Sequence, residues 1–549
     1  MSVEAPASTT QAPAVRIGPI MAALLMAMFV SMLTNTVVNT SLPVIVAELG
    51  GTQTTFTWVI ISALLATTVS TLVWGKFADM FNRKNLFLGA LILFSAASMV
   101  AGLADSPAML IATRALQGVG AGGLMALSQI IMADVTSPRE RGKYAGHFGA
   151  VTAIGTIGGP LLGGLITDTL NWRWNFYIAI PFAVAAIILI QRRLQLPPLQ
   201  VASRKIDYLG IVLISSGASL LLIWVSLGGS MIEWFEPVGL AMSGGAALLL
   251  LAFVLWEAKA ANPLVPLTLF KNRSFTLAVV ASLSVGIAMF ATAAYLSQYM
   301  QLARGATPTE SGLMTSPMMV AFLVTSTIAG ALVSRYGHWK PYLIAGAVLL
   351  LLGMVQLTQL QYDTPFPLVA LAMVVLGTGM GMLMQNLVVV TQNVVAPNVI
   401  GVATSANNFF RNLAGTIAVS AMGAMLTNSV AAALAAGIPR LPEEMQVEAA
   451  QLLSSGQVPA IQSLPEELKI LVESAYGSGI GEAFYLGIPL AIIGLIAVFF
   501  IPNIPLNNMS ASEQAAADAA KIAAEQATAP ESTITESAVP EAAIPGGTK

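Results

Sequence analysis

Residues 341–360 read Pro341-Tyr-Leu-Ile-Ala-Gly-Ala-Val-Leu-Leu-Leu-Leu-Gly-Met-Val-Gln-Leu-Thr-Gln-Leu360, twenty positions without a charge, opened by Lys340. At about 1.5 Å per residue a helix of this length covers the roughly 30 Å of a bilayer's hydrocarbon core. Thirteen further stretches share the pattern: 18–46, 56–76, 85–104, 108–133, 143–167, 174–191, 208–228, 236–256, 274–300, 311–334, 365–392, 400–427 and 482–502. The expectation is an all-α membrane protein with 14 transmembrane helices. The first stretch is too long for a secretory leader, and thirteen spans follow it.

Composition agrees. Of 549 residues, 56% are hydrophobic and 9% charged, and mean hydropathy is +0.79; soluble chains carry about 25% charged residues. A net charge of −2 offers no basic stripe to phosphates, so no nucleic-acid partner is expected. Cysteine is absent, and the two histidines, His147 and His338, lie far apart in sequence, so neither a metal site nor a catalytic centre is expected. Lys76 and Lys143 each follow a glycine, but Phe77 and Tyr144 stand where a phosphate loop needs Ser or Thr. No nucleotide module is read, and no cofactor.

Basic residues fix the orientation. With the N-terminus in the cytoplasm, eighteen of the 24 Lys and Arg fall inside, among them Lys76, Arg83, Lys84, Arg139, Arg141, Arg335 and Lys340. Arg173, Arg304, Arg440 and Lys469 fall outside, and Arg114 and Arg411 lie within spans. Both termini are therefore expected in the cytoplasm of a cell bounded by this inner membrane. Residues 1–15, rich in Ala, Ser, Thr and Pro, read as a disordered lead, and 508–549, rich in Ala, Glu and Pro, as a disordered tail. Residues 428–481 read as one external loop with helix-prone pieces.

An internal repeat is faintly visible. Gly75-Lys-Phe-Ala-Asp79-Met-Phe-Asn82-Arg83-Lys84 follows the second span, and Gly330-Ala-Leu-Val-Ser334-Arg-Tyr-Gly337-His338-Trp339-Lys340 follows the tenth. The separation of eight spans fits two six-helix halves, 16–193 and 261–507, with two helices inserted over 194–260.

With these residues the chain resembles the fourteen-span drug:proton antiporters of the major facilitator superfamily (the EmrB/QacA type), over nearly all of residues 18–502. Gly75, Asp79, Arg83 and Lys84 are similar to the family's loop after the second span, which the resemblance implies is a conformational latch. Asp79 near a helix N-terminus favours the dipole, Arg83 and Lys84 can pair with carboxylates of a neighbouring helix, and Asn82, in place of the family's second glycine, tolerates a left-handed turn. Arg114-Ala-Leu-Gln117-Gly118 matches a fourth-span signature whose arginine the resemblance links to proton coupling; Asp134 and Asp79 are the acidic candidates. Gly155, Gly159, Pro160, Gly163 and Gly164 match the fifth-span pattern of exporters: glycines every four residues give a smooth packing face, and Pro160 permits a bend. Asn171-Trp-Arg-Trp-Asn-Phe176 is like the run that opens the family's sixth span.

The chain departs from the family in its first span, Leu33-Thr34-Asn35-Thr36-Val37-Val38-Asn39, where Thr34 stands in the place of the usual carboxylate. No Asp or Glu lies well inside any span. The interior polar set is neutral: Asn35, Asn39, Gln298, Gln385, Asn386, Asn407 and Asn408, with Trp58, Phe290, Tyr295 and Tyr299 as aromatic walls. Most such amides serve as glue between helices. As a cavity lining, the set suits an uncharged or anionic amphipathic substrate better than a cation, and Arg411 requires a partner that an anion could supply. The resulting expectation is a monomeric exporter of amphipathic small molecules, driven by proton antiport. The alternative is traffic of lipid or cell-envelope components involving loop 428–481.

Overall fold

The computed structural model describes residues 17–506, apart from 51–52, 195–205, 229–231, 307, 443–444, 448–449 and 451–463, together with six residues between 509 and 521. The expected lead, most of the expected tail and the middle of segment 428–481 lie outside the described residues.

Fourteen helices of spanning character follow one another: α1 Ile17–Glu48, α2 Gln53–Met80, α3 Arg83–Gly102, α4 Pro107–Val135, α5 Pro138–Thr169, α6 Ile180–Arg193, α7 Tyr208–Leu227, α8 Pro237–Glu257, α9 Arg273–Ala291, α10 Ser316–Tyr336, α11 Lys340–Leu357, α12 Phe366–Asn393, α13 Ile400–Gly437 and α14 Gly487–Phe500. Thirteen spans among the described residues are long and apolar enough to cross a membrane; α5, at 32 residues, has the length as well.

The chain dictates where these helices begin and end. Ser137 opens α5 with a reciprocal cap, its Oγ accepting the Glu140 N–H while the Glu140 carboxylate accepts the Ser137 N–H, and Pro138 follows. Asn82 opens α3 by accepting the N–H groups of Lys84 and Asn85. Its φ of −61° is extended-side geometry, so the left-handed turn expected there is absent and the side chain works as an N-cap instead. In the matching loop of the second half, Gly337 is left-handed, with φ of 73°, and ends α10.

Segment 428–481, read as a loop, is helical at both ends. Helix α13 runs 38 residues to Gly437, because the alanine-rich stretch Ala431–Ala436 is a strong helix former with no break before Pro439. From Glu466 a helix to Ala483 leads through the turn Phe484–Leu486 straight into α14.

Helices α1–α6 form one half and α9–α14 the other, each with its own apolar core. The halves meet along two seams: α2, second in its half, lies on α13, fifth in the other, and α5 lies on α10 in the same relation. This reciprocal pairing is what two parallel repeats produce. The inserted helices α7 and α8 pack on each other, and α7 rests on both α2 and α13. Under it lies an apolar cavity of about 210 Å³ lined by Leu72, Ile214, Phe253, Phe270, Phe409 and Phe410.

Candidate functional site

The first half ends α2 with Asp79, and the second half begins α13 at Ile400. The first N–H groups of any helix lack intrahelical acceptors. Asp79 Oδ1 accepts the Gly401 N–H at 2.9 Å and Oδ2 accepts the Val402 N–H at 2.9 Å. Asp79 thus sits in the last turn of its own helix and serves the positive N-terminus of a helix in the other half. The approach is close because both crossing residues are glycines: a Cβ on Gly401 would lie 2.4 Å from Asp79 Oδ1, and one on Gly75 would lie 2.1 Å from Ser405 Oγ.

Arg83 extends this contact into the first half. Its Nη2 lies 3.4 Å from Asp79, its Nη1 pairs with buried Asp134 of α4, and its Nε donates to the Ala78 carbonyl at 2.8 Å. Lys84 meets no carboxylate among the described residues. Its Nζ donates to the Gln191 carbonyl at 2.8 Å in the last turn of α6, where a cation complements the helix dipole.

The second seam carries the opposite charge. Arg139, in the first turn of α5, donates to the carbonyls of Ser334 and Arg335 at 2.9 and 3.0 Å, at the negative end of α10. Between the seams Arg141 donates to Gln392 Oε1 at 2.7 Å, Gln392 Nε2 to Thr404 Oγ1 at 3.0 Å, and Asn408 Nδ2 to Gln129 Oε1 at 3.1 Å. One face of the bundle, the one bearing the basic loops, is closed by this network.

Within the first half α1 lies along α5. Cβ atoms on Gly155, Gly159 and Gly163 would stand 3.0 Å from Met32 Cβ, 2.0 Å from Thr36 Oγ1 and 2.8 Å from the Val37 carbonyl, whereas Gly158 faces open space. Thr36 Oγ1 donates to the Gly155 carbonyl at 2.8 Å. The helix continues through Pro160 and Gly164, whose surroundings, like those of the Asn39 side chain, lie outside the described residues.

The interior polar residues divide sharply. Arg114, 2% exposed, donates to Gln117 at 2.6 Å and to Asn35 of α1 at 3.3 Å, and Gln117 reaches Ser98 at 3.2 Å. Thr34 turns back onto its own helix, donating to the Val30 carbonyl at 2.8 Å, and Asn386 does likewise to Met382 at 2.7 Å. Gln385 is buried, while Gln298 is exposed beside buried Tyr295 and Tyr299, whose hydroxyls are spent on the carbonyls of Val419 and Gln361. Arg411 is 2% exposed and has no hydrogen-bond partner among the described residues.

Several seam residues escape a reading of the sequence. Gly401 and Val402 contribute only backbone N–H groups, and Gln129, Gln392 and Arg141 carry no motif. The signal available was positional: Gln392 and Arg141 lie near the span ends of opposite halves on the same face. Glu257, buried at the end of α8 and accepting the Leu264 N–H at 3.0 Å, lies one residue beyond the expected span.

Sequence and structure comparisons bear on this arrangement. The profile described as Major Facilitator Superfamily matches residues 24–419. The chain is 33% identical to the multidrug transporter protein MdtP of Bacillus subtilis (strain 168), over 89% of this chain and 94% of that one. It is 34% identical to an uncharacterised MFS-type transporter of Mycobacterium tuberculosis, over 90% and 71% respectively. Its fold is similar to the proton:xylose symporter XylE, with a TM-score of 0.58 at 15% identity, covering 91% of this chain and 98% of that one.

Proposed function

The chain belongs to the Major Facilitator Superfamily, and from that membership we propose that it is a proton-coupled exporter of amphipathic small molecules. It works in the cell's inner membrane as a monomer, with both termini in the cytoplasm. The carrying observation is the closed face. Asp79, Arg83 and Asp134 link α2, α3 and α4 to the first N–H groups of α13. Such a set of helix-end contacts holds one state of a rocking pair of halves and must break in the other. The positive-inside bias puts this face in the cytoplasm, so the state described is the one closed to the cytoplasm. The named multidrug transporter among its relatives supports the substrate class.

Proton coupling fits the energetics. A proton moving down a membrane potential releases about 2.3 kcal/mol per 100 mV and about 1.4 kcal/mol per pH unit, which supports a substrate gradient of roughly ten- to a few hundredfold. Asp79 is the coupling candidate whose partners, the Gly401 and Val402 N–H groups, change when the halves rock; Arg83, Asp134 and Arg114 bond within the first half and act through it.

The test is uptake of a fluorescent amphipathic dye into everted vesicles, with and without a protonophore, in wild type and Arg114→Ala. Uptake that collapses with the protonophore and is lost in the variant is the expected result. Uptake insensitive to the protonophore would remove proton coupling. No uptake of any dye would turn the reading toward lipid or envelope substrates.

A further inference from the structure

Two arginines are buried at mid-span, and they differ in how far they are bonded. Arg114 donates to two amide oxygens and leaves its Nε unpartnered among the described residues. Arg411 has neither hydrogen bond nor ion pair among the described residues, and its buried Nε and Nη2 are both unpartnered. Those two N–H groups point the same way from the guanidinium plane and form the fork that a carboxylate's two oxygens fit side-on. The stem is held in place: on α9, a Cβ at Gly286 would fall 2.1 Å from the Arg411 carbonyl oxygen and 2.9 Å from its Cγ.

The surroundings point the same way. Asn407, one turn earlier on α13 and so on the same side, is fully buried with both amide atoms unpartnered. Buried polar atoms are ordinarily bonded, so these two neighbours, left unpartnered among the described residues, mark a place built for something not part of the chain. No acidic residue occurs in α9, α12 or α13. The carboxylate that α13 does meet, Asp79, is bonded at Gly401, ten residues or about 15 Å along the helix.

We propose that the Nε–Nη2 edge of Arg411, with the Asn407 amide beside it, receives a carboxylate group of the transported molecule, so that the preferred substrates are amphipathic acids. The proposal rests on the exporter reading and names its substrate class. A positively charged amphipath meets an unneutralised guanidinium here and is disfavoured.

The test uses the full chain in nanodiscs with 1-pyrenebutyrate and its methyl ester, which share a ring and differ in the acid. Wild type should bind the acid at least about tenfold more tightly than the ester, a difference of about 1.4 kcal/mol. Arg411→Gln should erase that preference by weakening binding of the acid; Arg411→Lys, which keeps charge but not the fork, should retain part of it. Asn407→Ala, which leaves the charge in place, should reduce it and guards against misfolding of the charge variants. A preference that survives Arg411→Gln, or wild type that binds both dyes alike or neither, overturns the proposal. So does ester binding that requires chloride when sulfate is the only other anion, because an inorganic ion then occupies the fork. Parallel uptake into everted vesicles separates the two readings. An acid preference in binding without uptake leaves the site standing and removes the exporter; uptake of both dyes indifferent to residue 411 does the reverse.

Discussion

Asp79 and Gly401, 322 positions apart in the chain, are joined by a 2.9 Å hydrogen bond from the Gly401 N–H to Oδ1 of the carboxylate. The second oxygen takes the next N–H, that of Val402. A single side chain therefore caps a helix that belongs to the other half of the protein. Capping interactions contribute about 0.5–2 kcal/mol, and a nearby anion at a helix N-terminus adds up to about 2 kcal/mol in partly buried settings.

Asp79→Ala should shift the closed–open balance by about 1–2 kcal/mol, roughly a five- to thirtyfold change in the ratio of states. The chain has no cysteine, so Ser405→Cys, fully buried against Gly75, is a clean reporter. Its maleimide labelling should accelerate in the Asp79→Ala background. An unchanged rate would mean that the cap does not hold the face shut.

Gly401→Ala tests the same contact by bulk rather than charge. The added Cβ would sit 2.4 Å from Asp79 Oδ1 and 2.6 Å from the Gly75 carbonyl, where backbone cannot yield cheaply. Labelling at Ser405→Cys should rise as much as with Asp79→Ala. Gly158→Ala, with nothing within 4 Å, should leave both transport and labelling unchanged; a defect there would show that volume on these helices is not what matters.

Arg83→Met leaves Asp134 buried without its guanidinium, at a cost of about 3–5 kcal/mol. The midpoint of thermal unfolding in detergent should fall clearly. Adding Asp134→Asn removes the buried negative charge and should recover part of the loss. Equal midpoints for the single and double variants would refute the pairing as a source of stability.

Arg411→Met should act in the opposite direction. Replacing an unpartnered buried cation by an apolar chain of similar volume is expected to stabilise the folded protein by about 1 kcal/mol or more, raising the unfolding midpoint while weakening acid binding. Such a trade of stability against function is common at binding sites. A lowered midpoint would mean that the guanidinium already has a partner.

The helices were legible in the sequence because insertion into hydrocarbon imposes a length and an apolarity that no other fold demands. The glycine face of α5 was legible because its four-residue spacing is local. What could not be read were contacts made by groups the sequence does not display. The N–H groups of Gly401 and Val402 look like those of any residue until the chain path brings Asp79 to them. Asn407 and Asn408 look alike in sequence, yet Asn408 bonds Gln129 across the seam and Asn407 bonds nothing among the described residues. Lys84 was expected to meet a carboxylate, and geometry gives it a helix end, since the Asp134 carboxylate is already taken by Arg83. The alanine run after Ser429 hid a continuing helix because exposed alanine has no apolar face to reveal.

The void beneath α7 changes how the inserted pair should be regarded. A tightly packed joint resists shear, because every ring that moves must displace another. Here Phe270, Phe409 and Phe410 border some 210 Å³ of unfilled apolar space where α7 and α8 meet both halves. A bearing needs such clearance. Because α7 rests on both α2 and α13, it must shift against at least one of them whenever the two part, and the cavity gives its rings room to do so.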